Sequence, residues 1–155
     1  MLTAIKTGTG ETSSVRLVGI LDENANLAEL LGVPSKVLTV NCREIARINS
    51  IGVRNWIQHF QSAQFKGTSL TFQECSPAVV SQLSAISGFA CSGKVESVCL
   101  PYLCSDCGHE AQFIHSSEEL RSFRSNIPPE TCPKCGGTAC FDDIAEEFCR
   151  FLDDL

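Results

Sequence analysis

The chain predicts an α/β fold, a sheet with helices packed on one face, extended by a small cysteine-rich ribbon and a C-terminal helix. Three observations carry this expectation. Over the first hundred residues the hydrophobic pattern switches repeatedly between a period of two and a period of three to four, as half-buried strands and one-sided helices do. Near residue 99 the charge balance changes: residues 1–99 carry eight basic and seven acidic side chains, and residues 100–155 carry four basic and eleven acidic. In that acidic part stand two matched C-x-x-C-G segments, Cys104-Ser105-Asp106-Cys107-Gly108 and Cys132-Pro133-Lys134-Cys135-Gly136. We therefore expect one domain over residues 1–98 and a smaller unit over residues 99–155.

Residues 14–21 read as a strand, with Asp22 or Asn24 capping a short helix that runs through Leu31 and stops at Gly32 and Pro34. Residues 36–41, K-V-L-T-V-N, are the most strand-like run. Val53, Trp56, Ile57, Phe60 and Ala63 then recur at intervals of three and four, which predicts a helix with one buried face, Ser50 at its N-cap and Trp56 in the core. Residues 68–73 form another strand. Ser76-Pro77 opens a third helix with a hydroxyl cap and a first-turn proline, its apolar face being Val79, Val80, Leu83 and Ile86 and its stop Gly88. Residues 94–100 supply a further strand leading into the first cysteine turn. Thr7-Gly8-Thr9-Gly10 lacks the lysine, the following Ser/Thr and the strand-to-helix setting of a phosphate loop, and reads as a hairpin turn.

The acidic unit begins with a strand at residues 98–103 and its hairpin partner at residues 110–115. Residues 116–124 have a serine cap and helix-favouring residues, so the spacer holds a short helix or an extended hairpin tip. Asp142 or Asp143 can cap a terminal helix whose stripe is Ile144, Phe148, Phe151 and Leu152. Such a stripe packs on the rest of the chain or on a partner, and its shortness favours the first.

Each C-x-x-C-G turn converges two sulfurs on one point, and its glycine permits positive φ where the chain must turn. Two such turns predict one closed, tetrahedral, structural zinc site formed by Cys104, Cys107, Cys132 and Cys135. The 24 residues between the pairs exceed the usual spacing, so the intervening segment must carry structure of its own. Redox dithiols and a disulfide framework are the rival readings. Against disulfides stands the expected compartment: no apolar leader segment follows the N-terminus and no run is long enough to span a bilayer, which points to a cytoplasmic protein. Cys42, Cys75 and Cys91 read as small buried hydrophobes, and Cys99 and Cys140 as packing residues, with spare ligands or a redox pair as the alternatives. His109 and His115 could serve as alternative ligands, and His59 falls within the second helix as a boundary residue.

The order of elements over residues 1–98, and above all residues 36–60, resembles the STAS domain shared by bacterial anti-sigma-factor antagonists and the tails of sulfate transporters. In that family a hydrophobic strand leads to a segment close to "(I/M)-D-S-S-G-L" at the start of a helix. Here Ile48-Asn49-Ser50-Ile51-Gly52-Val53 occupies it. The run from Ser76 to Gly88 is similar to the family's third-helix region. The resemblance implies a module that binds a partner protein through Asn49, Ser50, Ile51, Gly52, Val53 and Arg54, the partner being an anti-sigma factor, a regulatory kinase or a transport assembly. The family's phosphorylated serine precedes the glycine, and Ile51, which accepts no phosphate, stands there. The phosphoswitch is therefore expected to be lost.

No grouping of nucleophile, base and orienting residue has support in the sequence, so a non-enzymatic regulatory or adaptor role is expected. A sensor of redox state or metal acting through Cys99, Cys140 or Cys149 is the alternative. The excess of acid over residues 100–155 repels phosphate backbones and disfavours nucleic acid as a partner.

Overall fold

The computed structural model describes residues 1–8 and 10–155, so Thr9 of the expected hairpin turn lies outside the described residues. The fold is mixed α/β with two sheets. The first sheet takes β1 (Thr3–Thr7), β2 (Thr12–Leu21), β3 (Val37–Ile48), β4 (Ser69–Gln73) and β5 (Lys94–Val95) in the order β1-β2-β3-β4-β5. Its β1/β2 pair is antiparallel and the other three pairs are parallel. The parallel strands are joined through α1 (Leu27–Leu31), α2 (Ser50–Phe65) and α3 (Pro77–Ala85). Buried Val15, Val40, Phe72 and Val95 share one row across the sheet, while the row through Arg16, Asn41 and Gln73 is polar. One face is therefore packed under helices and the other is left to polar side chains, as strands of alternating character require.

Trp56 of α2 organises the core. Its ring lies 4.6 Å from Phe60, 5.3 Å from Phe72 and 5.2 Å from Phe89, and its indole N–H donates to the Phe89 carbonyl at 3.0 Å. The polar end of the largest buried side chain is thus satisfied, which burial of an indole demands.

Several elements differ from expectation for identifiable reasons. Strand β1 has no hydrophobic alternation to betray it, because an edge strand at the rim buries little. Strand β3 runs on to Ile48 through Arg43, Glu44 and Arg47. Cys42 and Ile45 keep its inner face buried, and β2 pairs with it along its length with register shifts between Arg16 and Val18 and between Gly19 and Ile20. The cap of α1 is Asn26, while Asp22 holds the preceding turn by accepting from the Asn24 N–H at 3.0 Å. Helix α3 ends at Ala85 with Ile86 as its cap, and Gly88 turns the chain two residues later at φ 85°. The strand expected over residues 94–100 breaks at Glu96. β5 closes the first sheet, and β6 (Ser97–Cys104) enters the second.

That second sheet is antiparallel throughout, in the order β7-β6-β9-β8, with β7 (Glu110–Ser116), β8 (Glu130–Thr131) and β9 (Thr138–Phe141). The long spacer carries helix α4 (Ser117–Phe123), capped by the Ser116 hydroxyl. The last helix, α5 (Ala145–Phe148), runs into a 3-10 turn (Cys149–Asp154). Asp143 accepts from the Ile144 N–H at 2.7 Å, outside the cap geometry the sequence suggested. Phe148, Phe151 and Leu152 are buried and Ile144 is left outside, so the stripe is satisfied within the chain. It seats on α3, where the Ser84 hydroxyl donates to the Phe148 carbonyl at 2.9 Å and accepts from the Phe151 N–H at 3.2 Å. Among the described residues no helix is long and apolar enough to cross a membrane.

At the start of α2 the cap is Asn49, one residue before the serine expected there: its side-chain oxygen accepts from the Gly52 N–H at 2.8 Å. Asn49→Ala should therefore destabilise the protein by about 1 kcal/mol, whereas Ser50→Ala should stay within about 0.5 kcal/mol of the parent. Urea midpoints at unchanged slope measure both. Equal losses from the two substitutions would show that the cap has been misplaced.

Candidate metal centre

Strand β6 delivers Cys104 to the end of the second sheet, and the chain then turns tightly before returning as β7. The Gly108 N–H closes the turn on the Cys104 carbonyl at 3.0 Å, and the Cys104 N–H reaches the His109 carbonyl at 2.9 Å. The second turn repeats this between β8 and β9. The Gly136 N–H bonds the Cys132 carbonyl at 3.0 Å and the Cys132 N–H bonds the Gly137 carbonyl at 2.8 Å. Gly108 and Gly136 have φ of 73° and 75°, the left-handed conformation in which a Cβ is strained. The N–H groups aimed at sulfur come from other residues. Asp106 and Cys107 donate to Cys104 Sγ at 3.4 and 3.5 Å, Lys134 to Cys132 Sγ at 3.4 Å and Gly137 to Cys135 Sγ at 3.3 Å.

The four sulfurs lie within 4.8 Å of one another, with Cys104 to Cys135 at 3.5 Å and Cys107 to Cys132 at 3.8 Å. A disulfide needs about 2.05 Å, and all four cysteines are free. A tetrahedron of sulfurs at about 2.3 Å from a central ion has edges of about 3.8 Å, so the spacing fits one metal ion held by four thiolates. Cys104 and Cys132 are buried while Cys107 and Cys135 are exposed, which places the centre at the molecular surface with its rear in the core. The acidities of Cys104 and Cys135 shift in opposite directions. The Cys107 N–H, the Asp106 N–H and neighbouring thiols bring Cys104 down to about 7. Cys135 accepts from the Gly137 N–H, which favours its thiolate, yet hydrogen bonding against Cys107 and Cys104 outweighs this and pushes it up to about 12. Four thiols in one cage cannot all ionise without a positive charge among them.

The two turns are locked to each other by contacts the sequence did not reveal. Asp106 Oδ2 accepts from the Thr138 N–H at 3.0 Å, and the Thr138 carbonyl accepts from the Ser105 N–H at 3.0 Å. The expected alternative ligands lie elsewhere. His115 is held between Glu119 at 2.7 Å and Glu130 at 3.2 Å, and His109 contributes its backbone. Hydrogen bonding to His115 holds the Glu119 carboxyl below its usual value. Of the spare cysteines, Cys99 is buried and burial pushes it up to about 11, Cys149 is raised by burial, and Cys140 is exposed.

The second site predicted from sequence lies at the start of α2. Asn49, Ser50, Ile51 and Arg54 are exposed there, Ile51 at 39%. Gly52 is buried with no room for a side chain, since a Cβ would stand 2.0 Å from the Leu21 carbonyl oxygen, and Val53 packs against the core. Asn49 also donates to Glu23 Oε2 at 2.7 Å, a link to the loop before α1 that no local pattern announces. No family model matches the chain, and no curated protein sequence matches it.

Purified protein should carry one metal ion per chain, and Cys107→Ser should abolish it. A metal ion held there would organise the turns, so chelation should raise hydrogen exchange in β8 and β9 first, where few other contacts hold the strands. Asp106→Ala should keep the metal but speed its transfer to a competing chelator. Loss of metal with no change in exchange would show that the centre is not structural.

Proposed function

We propose that the chain is a non-enzymatic regulatory or adaptor protein of the cytoplasm, binding a partner protein through a STAS-like domain and carrying a structural zinc ion in its ribbon. The observation that carries this reading is the start of α2. A helix end whose cap is already satisfied internally exposes Ile51 between Ser50 and Arg54, at the place where the family resemblance puts recognition. Alternation of parallel strands and helices over residues 12–95, with one sheet face left polar, supports the STAS-like reading. An all-sulfur tetrahedral cage suits zinc, or iron, better than oxygen-seeking cations. With all four positions filled from the chain, zinc would have a structural role.

The phosphoswitch is lost on this reading, since Ile51 stands at the acceptor position. The acidic ribbon, with Glu146 and Glu147 exposed on α5, suits a basic protein partner better than a nucleic acid. The alternative, a redox or metal sensor, draws less from the thiols outside the cage, because burial disfavours the reactive thiolate at Cys99 and Cys149.

Partner capture from the source cell followed by binding kinetics tests the proposal. Ile51→Asp should weaken capture at least tenfold at every ionic strength, while Glu146→Gln with Glu147→Gln should slow association chiefly at low salt. A folded Ile51→Asp variant that binds like the parent removes this surface from consideration. Elemental analysis should give zinc in stoichiometric amount, and peptide mapping of native protein should find Ser50 unmodified.

A further inference from the structure

A groove of about 770 Å³ opens between β5 at the edge of the first sheet, the end of α3, helix α4 and the C-terminal turn. Its walls come from the end of α3, residues 87–93, the first turns of α4 and the C-terminal turn. Its floor is apolar, with Leu83, Phe89, Val95 and Phe151 all nearly inaccessible to solvent. The volume falls within the range of about 300–1,000 Å³ that small-molecule sites occupy, and seams between structural units are where such sites concentrate.

The wall over residues 87–93 is built rigidly. Phe89 lies parallel to Trp56 at 5.2 Å and its carbonyl accepts the indole N–H. Gly93 is pressed against the sheet so closely that a Cβ would stand 2.8 Å from Phe72. Between these anchors Cys91 and Ser92 adopt φ of 50° and 56°, two successive non-glycine residues in the left-handed region. Such backbone persists only where its surroundings enforce it, so the groove is formed in advance of any ligand.

Four charged side chains line the groove: Lys94 and Arg121 of one sign, Glu118 and Asp154 of the other. Among the described residues none of the four has an ion-pair partner within 4.0 Å, although Arg124 and Asp153 nearby are paired at 2.6 Å. The groove thus carries two unpaired charges of each sign above an apolar floor. A simple anion would meet two carboxylates and a simple cation two basic groups. A molecule bearing both charges can pair with both.

We infer that this groove is a binding site for a zwitterionic ligand with apolar side chains, an apolar amino acid or short peptide, its carboxylate held by Lys94 and Arg121 and its ammonium by Glu118 and Asp154. The site is independent of the α2 surface and of the metal centre.

The dipeptide Leu-Phe is the probe, titrated into the full metal-loaded chain by calorimetry and by amide chemical shifts. Saturable binding is expected, with shifts confined to residues 83–95, 117–121 and 151–155. N-acetyl-Leu-Phe and Leu-Phe amide should each bind at least tenfold more weakly. Arg121→Glu should weaken Leu-Phe and the acetylated form but spare the amide, and Glu118→Lys should do the converse. Both positions are exposed, and unchanged melting temperatures verify the fold. Should a variant unfold, the two blocked dipeptides on the parent protein still decide. No saturable binding, equal affinity for the three dipeptides, shifts outside the groove, or tighter binding of decanoate than of Leu-Phe would each overturn the assignment.

Discussion

The architecture depends on how the chain leaves one sheet for the other within a single residue. Glu96 keeps its N–H on the Phe72 carbonyl at 2.9 Å, so it still belongs to the edge of the first sheet. Two residues later Val98 bridges Cys75, and the Cys99 N–H bonds the Cys75 carbonyl at 2.8 Å. Hydrogen bonding therefore continues across the junction, and an edge that would otherwise expose unpaired backbone groups is occupied. β6 starts from this junction and ends at Cys104. The four-cysteine cage is consequently attached to the first sheet through one extended strand, and buried Leu100 and Tyr102 carry the core along it.

The C-terminal turn closes the same seam from the other side. Ser84 serves as donor and acceptor to that segment, and Phe148, Phe151 and Leu152 complete a core that is continuous from Leu2 to Leu152. A segment too short to be helical on its own gains its order from this burial, and part of it remains 3-10, where hydrogen-bond geometry is poorer and packing decides the shape.

What the sequence made legible follows from how each signal arises. The cage was readable because metal chemistry fixes residue type and spacing locally: two pairs of cysteines with trailing glycines leave few other interpretations. Helices α2 and α3 were readable from periodic apolar faces, and α3's cap from Ser76-Pro77. The cap of α2 was not, because Asn49 and Ser50 are both good caps and the choice is settled by how Gly52 must approach Leu21, a tertiary constraint. Strand β1 was hidden because an exposed edge imposes no pattern. The break at Glu96 was hidden because both halves of that stretch are strand-like, and only the existence of two sheets separates them. The groove gathers Lys94, Glu118, Arg121 and Asp154 from three separate regions of the sequence, so no local reading could have assembled it.

The two cysteine turns also bear on how the ribbon comes together in time. They are near copies of one another, separated by the 24 residues that hold β7 and α4, and each can offer two sulfurs as soon as it is formed. Bringing the ends of such a segment together costs an unstructured chain about 3 kcal/mol in closure entropy. An ion gripped by either turn would make the arrival of the other a ring closure with two new bonds as its reward. Either pair, Cys104 with Cys107 or Cys132 with Cys135, can then seed the ribbon, and the other closes it.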